Sequence, residues 1–108
     1  MSGQWNLAKK IVWNTPNLGA TQKDTTLGLP QEYVDFRNDG KEYISFWKGT
    51  NYQYDTLKYS VSGNILHTSK GNINGTSDIP TLTSNSLTIH TSTMDSFGAS
   101  DYWFFYSK

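Results

Sequence analysis

The sequence predicts an all-β domain that folds as an eight-stranded antiparallel up-and-down barrel, with an open β-sandwich as the alternative. β-prone runs alternate with turn residues along the whole chain, and no segment of ordinary helix length shows a helical period. Both terminal strands are rich in aromatic residues. Pairing the last strand of a meander with the first removes its two exposed edges. We therefore expect these two strands to pair, with Trp5 buried at one end of the barrel.

The composition bounds the class of protein. The 108 residues form one domain, residues 1–108, large enough for a single core. Cysteine is absent, which excludes disulfides, thiol nucleophiles and zinc–cysteine sites. Nine basic and nine acidic residues are scattered along the chain, and no apolar stretch approaches the roughly 20 residues of a spanning helix. We therefore predict no nucleic-acid partner and no direct membrane insertion.

The start of the chain bears on localisation. Met1-Ser2-Gly3 carries no apolar signal segment. An aromatic core with a surface rich in hydroxyl groups is typical of secreted β-domains. Either the protein is cytoplasmic or a leader lies upstream of this sequence. We expect the second, an extracytoplasmic protein that is secreted or a cell-surface lipoprotein.

The strands are predicted from apolar–polar alternation and from the turns between the runs. Residues 14–30 are rich in Thr, Gly and Pro without a clean period, which predicts a long loop with at most one helical turn. Polar loops are also expected at 70–78 and 93–100. The eight predicted strands are 4–13, 31–37, 41–47, 52–62, 65–69, 79–83, 86–92 and 101–107.

Asn38-Asp39-Gly40 is the strongest turn signal in the chain. A positive φ at Gly40 predicts a hairpin in which Val34 pairs with Ile44. This register places four apolar side chains on the core face: Val34, Phe36, Ile44 and Phe46. It places three charged side chains on the opposite face: Asp35, Arg37 and Lys41.

Several segments resemble a known family. Gly3-Gln4-Trp5 is similar to the Gly-x-Trp opening of lipocalins, and three later segments, 33–41, 57–65 and 82–89, resemble the lipocalin-like domains of small secreted bacterial proteins, many from gut Bacteroidetes. The resemblance spans almost the whole chain. It implies an eight-stranded barrel, no catalysis and often a lipoprotein leader. Vertebrate lipocalins pack an arginine over this tryptophan, whereas the single arginine here, Arg37, lies in the hairpin.

Residues that carry catalytic or metal chemistry form no recognisable set. His67 and His90 are the only histidines, and no third ligand accompanies them. His67 shares a face with Ile65 and is expected to point inward. The carboxylates are dispersed among turns and charged strand faces, and no Gly-x-Ser-x-Gly elbow occurs. We therefore predict no catalytic residue, no metal and no cofactor.

The aromatic residues, four Trp, seven Tyr and five Phe, support two interpretations. They fill the barrel, or some of them line a cup for a small hydrophobic ligand. The predicted function is accordingly non-catalytic ligand binding inside the barrel. The oligomeric state is left open. The expected ligand-binding residues are Phe36, Phe46, Tyr54 near the mouth, Tyr59, His67 and Phe104.

The alternative function is a carbohydrate- or protein-binding surface. Flat aromatic side chains exposed among Asn, Ser and Thr stack on sugar rings. The residues that would form such a surface are Trp13, Tyr43, Trp47 and Trp103.

Overall fold

A computed structural model describes residues 2–16, 18–96 and 98–108, and all regular structure in these segments is β. Met1, Asn17 and Phe97 lie outside the described residues, so parts of two predicted loops are not assessed. Across the described segments there is no helix that is long and apolar enough to cross a membrane. The strands are β1 (Gly3–Pro16), β2 (Gln22–Leu27), β3 (Tyr33–Phe36), β4 (Lys41–Trp47), β5 (Tyr52–Ser62), β6 (Ile65–Lys70), β7 (Ile73–Leu82), β8 (Ser86–Asp95) and β9 (Gly98–Ser107).

Eight of these strands close a barrel. Strands β3 to β9 pair antiparallel in sequence order, and β1 completes the ring by pairing with β3 on one edge and β9 on the other. The β1–β9 register runs from Asn6↔Ser107 to Pro16↔Gly98. The predicted all-β barrel and its closure through the terminal strands are confirmed.

Strand β2 was not predicted, because the sequence favoured a loop over residues 14–30. All six of its residues are exposed, so neither face carries the apolar alternation that marks a half-buried strand. β2 forms because β1 extends beyond the end of β3. Asn6 pairs with Tyr33, whereas the stretch from Lys9 to Asn14 pairs with β2 on the same edge.

Two other predicted loops also contain strand residues. β7 begins at Ile73, inside the predicted loop 70–78, and β8 and β9 extend into the predicted loop 93–100. The first six residues of β7 pair in register with all of β6. Five of these six are exposed, which again removes the sequence signal that burial would create.

The hairpin prediction is confirmed. Gly40 has φ 78°, and Val34 pairs with Ile44. Val34 and Phe36 are buried in the core, while Asp35 forms an ion pair with Arg37 at 3.0 Å on the other face.

The core fills one end of the barrel. Its buried apolar residues are Trp5, Val34, Phe36, Leu66, Ile79, Leu87 and Ile89. Tyr59 packs edge-on against Phe36, with ring centroids 5.0 Å apart, and its hydroxyl donates to the carbonyl of Arg37 at 2.9 Å. This end, where the chain termini and three hairpins meet, is therefore packed by its own side chains.

A cation covers the buried tryptophan, although it is not an arginine. Lys108 Nζ lies 4.7 Å from the ring centroid of Trp5 and donates to the carbonyl of Ser2 at 3.0 Å. Arg37 lies instead over Tyr43 at 4.1 Å, outside the barrel. Cation–π contacts of this kind stabilise by about 0.5–1 kcal/mol at exposed sites.

We expect Trp5→Ala to destabilise the domain by about 3–5 kcal/mol, because it removes a large side chain that is 1% exposed from the packed end. Trp13→Ala, on the outer face of the same strand, is the matched control and should cost about 1 kcal/mol or less. Urea unfolding measures both. Equal losses would contradict the assignment of Trp5 to the core.

The segment that connects β2 to β3 lies close against β1. Gly28 N donates to the carbonyl of Ala8 at 2.8 Å, and Leu7 N donates to the carbonyl of Glu32 at 2.9 Å. A Cβ atom on Gly28 would overlap the carbonyl oxygen of Leu7. Only glycine therefore fits at position 28.

Gly28→Ala should destabilise the domain by about 1–3 kcal/mol, because backbone atoms must move to relieve the overlap. Gly75→Ala is the control. It lies on β7, where a Cβ meets only the Thr68 hydroxyl at 3.2 Å, and should change the free energy of unfolding by about 0.5 kcal/mol or less. A silent Gly28→Ala in urea unfolding would show that the segment can shift without loss.

Candidate functional site

A cavity of about 540 Å³ lies above the packed core, inside the barrel. Small-molecule sites usually have volumes of roughly 300–1,000 Å³. The interior is thus packed at one end and hollow towards the other. Apolar residues form most of the wall: Leu7, Leu27, Leu29, Ile44, Phe46, Trp47, Leu57, Leu66, Ile89 and Phe104.

Strand alternation and one bulge determine which side chains reach the cavity. Leu66 and Thr68 line it from β6, two residues apart, as period two requires. On β1 the register shifts between Leu7 and Lys9. This bulge brings Lys10 into the cavity lining together with Leu7, although strict alternation places them on opposite faces.

The six residues expected to bind ligand are divided among three locations. Phe46 and Phe104 line the cavity. Phe36 and Tyr59 lie in and against the packed core below it. Tyr54, which is 69% exposed, and His67 lie on the outside.

The inward placement of His67 was therefore wrong. His67 and Ile65 do share a face, as predicted, but Leu66 and Thr68 occupy the inner one. Ile65 and Leu66 are consecutive and both aliphatic, so the alternation in the sequence does not indicate which face of β6 is the inner one. Tyr54 lies near the start of β5, towards the hollow end, but on the outer face. Leu57 and Tyr59, each an odd number of residues away, lie on the inner face of the same strand.

Glu42 is the buried acid of this cavity. Its side chain is 5% exposed, and its Oε2 atom has no hydrogen-bond partner. Burial raises the pKa of Glu42 to about 7. The sequence held a signal for this residue, since Glu42 has the same strand parity as Ile44 and Phe46. Its charge instead led us to expect a solvated role.

A second acid in the lining has a structural role. Glu32 Oε1 accepts the backbone N–H of Leu29 at 3.0 Å, and its Oε2 accepts that of Trp47 at 3.4 Å. Trp47 lies on β4 beyond the last residue that β3 pairs. Glu32 therefore ties the β2–β3 segment to the unpaired part of β4 and holds the cavity wall together.

A histidine cluster lies on β7, β8 and β9, separate from the residues that line the cavity. His90 Nε2 lies 2.9 Å from Asp101 Oδ1, and His90 Nδ1 lies 3.2 Å from Asp78 Oδ2. Ser92 Oγ donates to Asp101 at 2.6 Å, and this bond, with His90, lowers the pKa of Asp101. Ser92 Oγ also lies 3.3 Å from His90 Nε2, but its bond to Asp101 is the shorter. The serine proton is thus directed at the carboxylate rather than at the imidazole, which is not the geometry of an activated nucleophile. Within the described segments, no group of three His, Cys, Asp or Glu residues is arranged to hold a metal ion.

The aromatic residues of the alternative surface lie on separate parts of the barrel. Trp13 is 38% exposed, and Trp47 is 40% exposed but also lines the cavity, so it does not belong to the outer surface alone as predicted. Trp103 stacks on His90 at 4.2 Å, and Tyr43 lies beneath Arg37. Trp13 is on β1 and Trp103 on β9, whereas Tyr43 and Trp47 are on β4, with β3 between the two groups.

Comparison with known proteins supports the resemblance seen in the sequence. A family model described as a lipocalin-like domain matches residues 1–89. An uncharacterized protein from Bacteroides eggerthii has a similar structure, with a TM-score of 0.55 and 13% sequence identity over 99% of this chain and 98% of that chain. At this identity the similarity concerns the fold alone. No curated protein matches this sequence.

The raised pKa of Glu42 should make folding stability depend on pH. Below pH 4.5 the carboxyl group is protonated in both the folded and the unfolded chain, so it has no effect. Between pH 4.5 and about 7 the carboxyl group is ionised in the unfolded chain but still largely protonated in the folded one. The free energy of unfolding should therefore fall as pH rises, by about 3 kcal/mol in total from this group.

Glu42→Gln removes this dependence. We expect the difference in free energy of unfolding between variant and wild type to move in favour of the variant by about 3 kcal/mol between pH 4 and pH 8. Urea unfolding at several pH values measures this, and Asp24→Asn, on the exposed strand β2, controls for loss of a negative charge. Parallel pH profiles for Glu42→Gln and wild type would show that Glu42 ionises normally.

Proposed function

This chain belongs to the lipocalin-like domain family, and on that premise we propose that it is a non-catalytic binding protein that holds a small, largely apolar molecule inside the barrel. The observation that carries the proposal is the cavity of about 540 Å³ between the packed core and the open end. Lipocalin-like domains are in general binding modules rather than enzymes.

The chemistry of the wall supports an apolar ligand. Aromatic and aliphatic side chains such as Phe46, Leu57 and Phe104 surround the cavity, and eight polar or charged residues are interspersed among them. Ligand sites commonly combine an apolar lining with a small number of oriented polar groups. Ser77 and Thr91 contribute two of these hydroxyls, but they bond to each other at 2.7 Å.

The surface alternative has less support. Carbohydrate stacking needs flat aromatic faces that are open and close together. Lys23 Nζ lies 5.2 Å over the ring of Trp13, Trp103 is covered by His90, and Trp47 packs edge-on against Tyr52. We therefore do not propose sugar binding as a second function, and treat it as one possible result of the binding experiment that follows.

Substitutions at two adjacent residues, Thr68 and His67, test the proposed function. Thr68→Trp should place an indole in the cavity and weaken binding of N-phenyl-1-naphthylamine, an uncharged fluorescent dye, by about tenfold or more. His67→Trp adds the same indole to the outer face and should leave the affinity unchanged. Wild type should bind the dye saturably with a stoichiometry near one.

Circular dichroism and urea unfolding must show that both variants fold, since overpacking costs about 1–3 kcal/mol. Absence of saturable dye binding to wild type would contradict the proposal. Equal effects of the two variants would place the dye outside the cavity. Binding of oligosaccharides that Trp13→Ala abolishes would favour the surface alternative, because Trp13 does not line the cavity.

A further inference from the structure

The fold leaves one carboxyl group of the cavity without a partner. Glu42 Oε2 accepts no hydrogen bond, and the side chain is 95% covered by protein, given its 5% exposure. Its cross-strand neighbours on the inner face are Phe36 and Leu57, neither of which can donate. Unsatisfied polar groups are rare in protein interiors, because they lose water without gaining a replacement bond. Because Glu42 also lines the cavity, its carboxyl group is a candidate contact for a ligand.

The charged and titratable groups around Glu42 come from four other parts of the fold. Glu32 on the β2–β3 segment and Lys10 on β1 line the same cavity. Tyr59 on β5 and Tyr106 on β9 are close enough for the charge of Glu42 to help raise the pKa of each hydroxyl, although burial contributes more. Tyr59 is committed to the carbonyl of Arg37.

Glu32 and Lys10 do not neutralise Glu42. Both carboxylate oxygens of Glu32 already accept backbone N–H groups. Burial is what raises the pKa of Glu42, with no contribution from a nearby cation. Among the ion pairs of the described residues, none joins Lys10 to either acid. Glu42 is therefore the acid that remains available to a bound molecule.

We propose that the cavity selects small apolar molecules that carry a protonated amino group, and that Glu42 pairs with that ammonium. The inference rests on the proposed binding function and assigns its ligand class. An ammonium supplies the missing donors and turns an isolated buried charge into a pair. A hydroxyl group supplies a donor without the charge, so its bond is weaker. A ligand carboxylate would place a third acid beside Glu42 and Glu32, which like-charge repulsion disfavours.

Three probes with one apolar body test this ligand class: 2-naphthylmethylamine, 2-naphthylmethanol and 2-naphthoate. Titration calorimetry at pH 8 should show that the amine binds about tenfold or more tightly than the alcohol, with the carboxylate weakest. Lowering the pH from 8 to 6 protonates Glu42 in the free protein. The affinity for the amine should then fall by about tenfold, while that for the alcohol stays constant.

Glu42→Gln keeps the size of the side chain and removes its charge. The variant should lose the preference for the amine and its pH dependence, while its affinity for the alcohol stays within about threefold of wild type. Asp35→Asn is the matched control, because it removes a negative charge from the outer face of the neighbouring strand. It should leave the preference for the amine unchanged.

The outcomes separate this inference from the proposed function. Equal binding of amine and alcohol, unaffected by Glu42→Gln, would overturn the inference and leave the binding function standing. Tightest binding of 2-naphthoate would overturn it in favour of ligand selection by Lys10. If neither the probes nor the uncharged dye bind, the proposed function and the inference both fail.

Discussion

Strand β1 has two hydrogen-bonding edges. One of them is shared between two partner strands, and the layout of the barrel depends on this sharing. One edge pairs with β9 along almost its whole length, which closes the barrel. The other edge is shared, with β3 taking the first residues and β2 taking those from Lys9 to Asn14. β3 is only four residues long and pairs with Glu42 to Ser45, so Phe46 and Trp47 at the outer end of β4 have no strand partner on that side. At this gap the wall is closed by the β2–β3 segment, which includes Glu32, and not by a continuous ladder of strand hydrogen bonds.

This arrangement explains why one barrel contains both a core and a cavity. At the end where β3 is present, Trp5, Val34 and Phe36 fill the interior, and Lys108 covers the tryptophan from outside. Where β3 is absent, the wall is built from β2 and its following segment, and the interior widens to about 540 Å³. Eight strands give an interior that side chains can just fill. The hollow half therefore reflects how the wall is built as well as which residues face inward.

Glu42 lies where these two halves meet. It shares the inner face of β4 with Ile44 and Phe46 and pairs across the strands with Phe36 and Leu57. An apolar residue at this position would extend the core without difficulty. The acid instead leaves a carboxyl group in the cavity wall, at an expense in folding free energy that grows as the pH rises from 4.5 to about 7 and is constant above that range. Retaining an unpaired acid at this depth is more readily understood as a feature of ligand binding than of stability.

The sequence by itself determined the class of fold, the hairpin at Gly40 and the burial of Trp5. The fold class and the hairpin depend on period-two alternation and local turn chemistry, whereas the burial of Trp5 was indicated by the aromatic terminal strands and the Gly-x-Trp opening. It also held the parity that places Glu42 inside. Only the tertiary structure decided which face of β6 is inner, since Ile65 and Leu66 are equally apolar and the choice depends on neighbouring strands. The formation of strand β2 likewise depends on the free edge of β1, and the inward orientation of Lys10 depends on the β-bulge in that strand. These features depend on pairing between segments that are distant in the sequence. Exposed polar residues show no local pattern from which such pairing could be predicted.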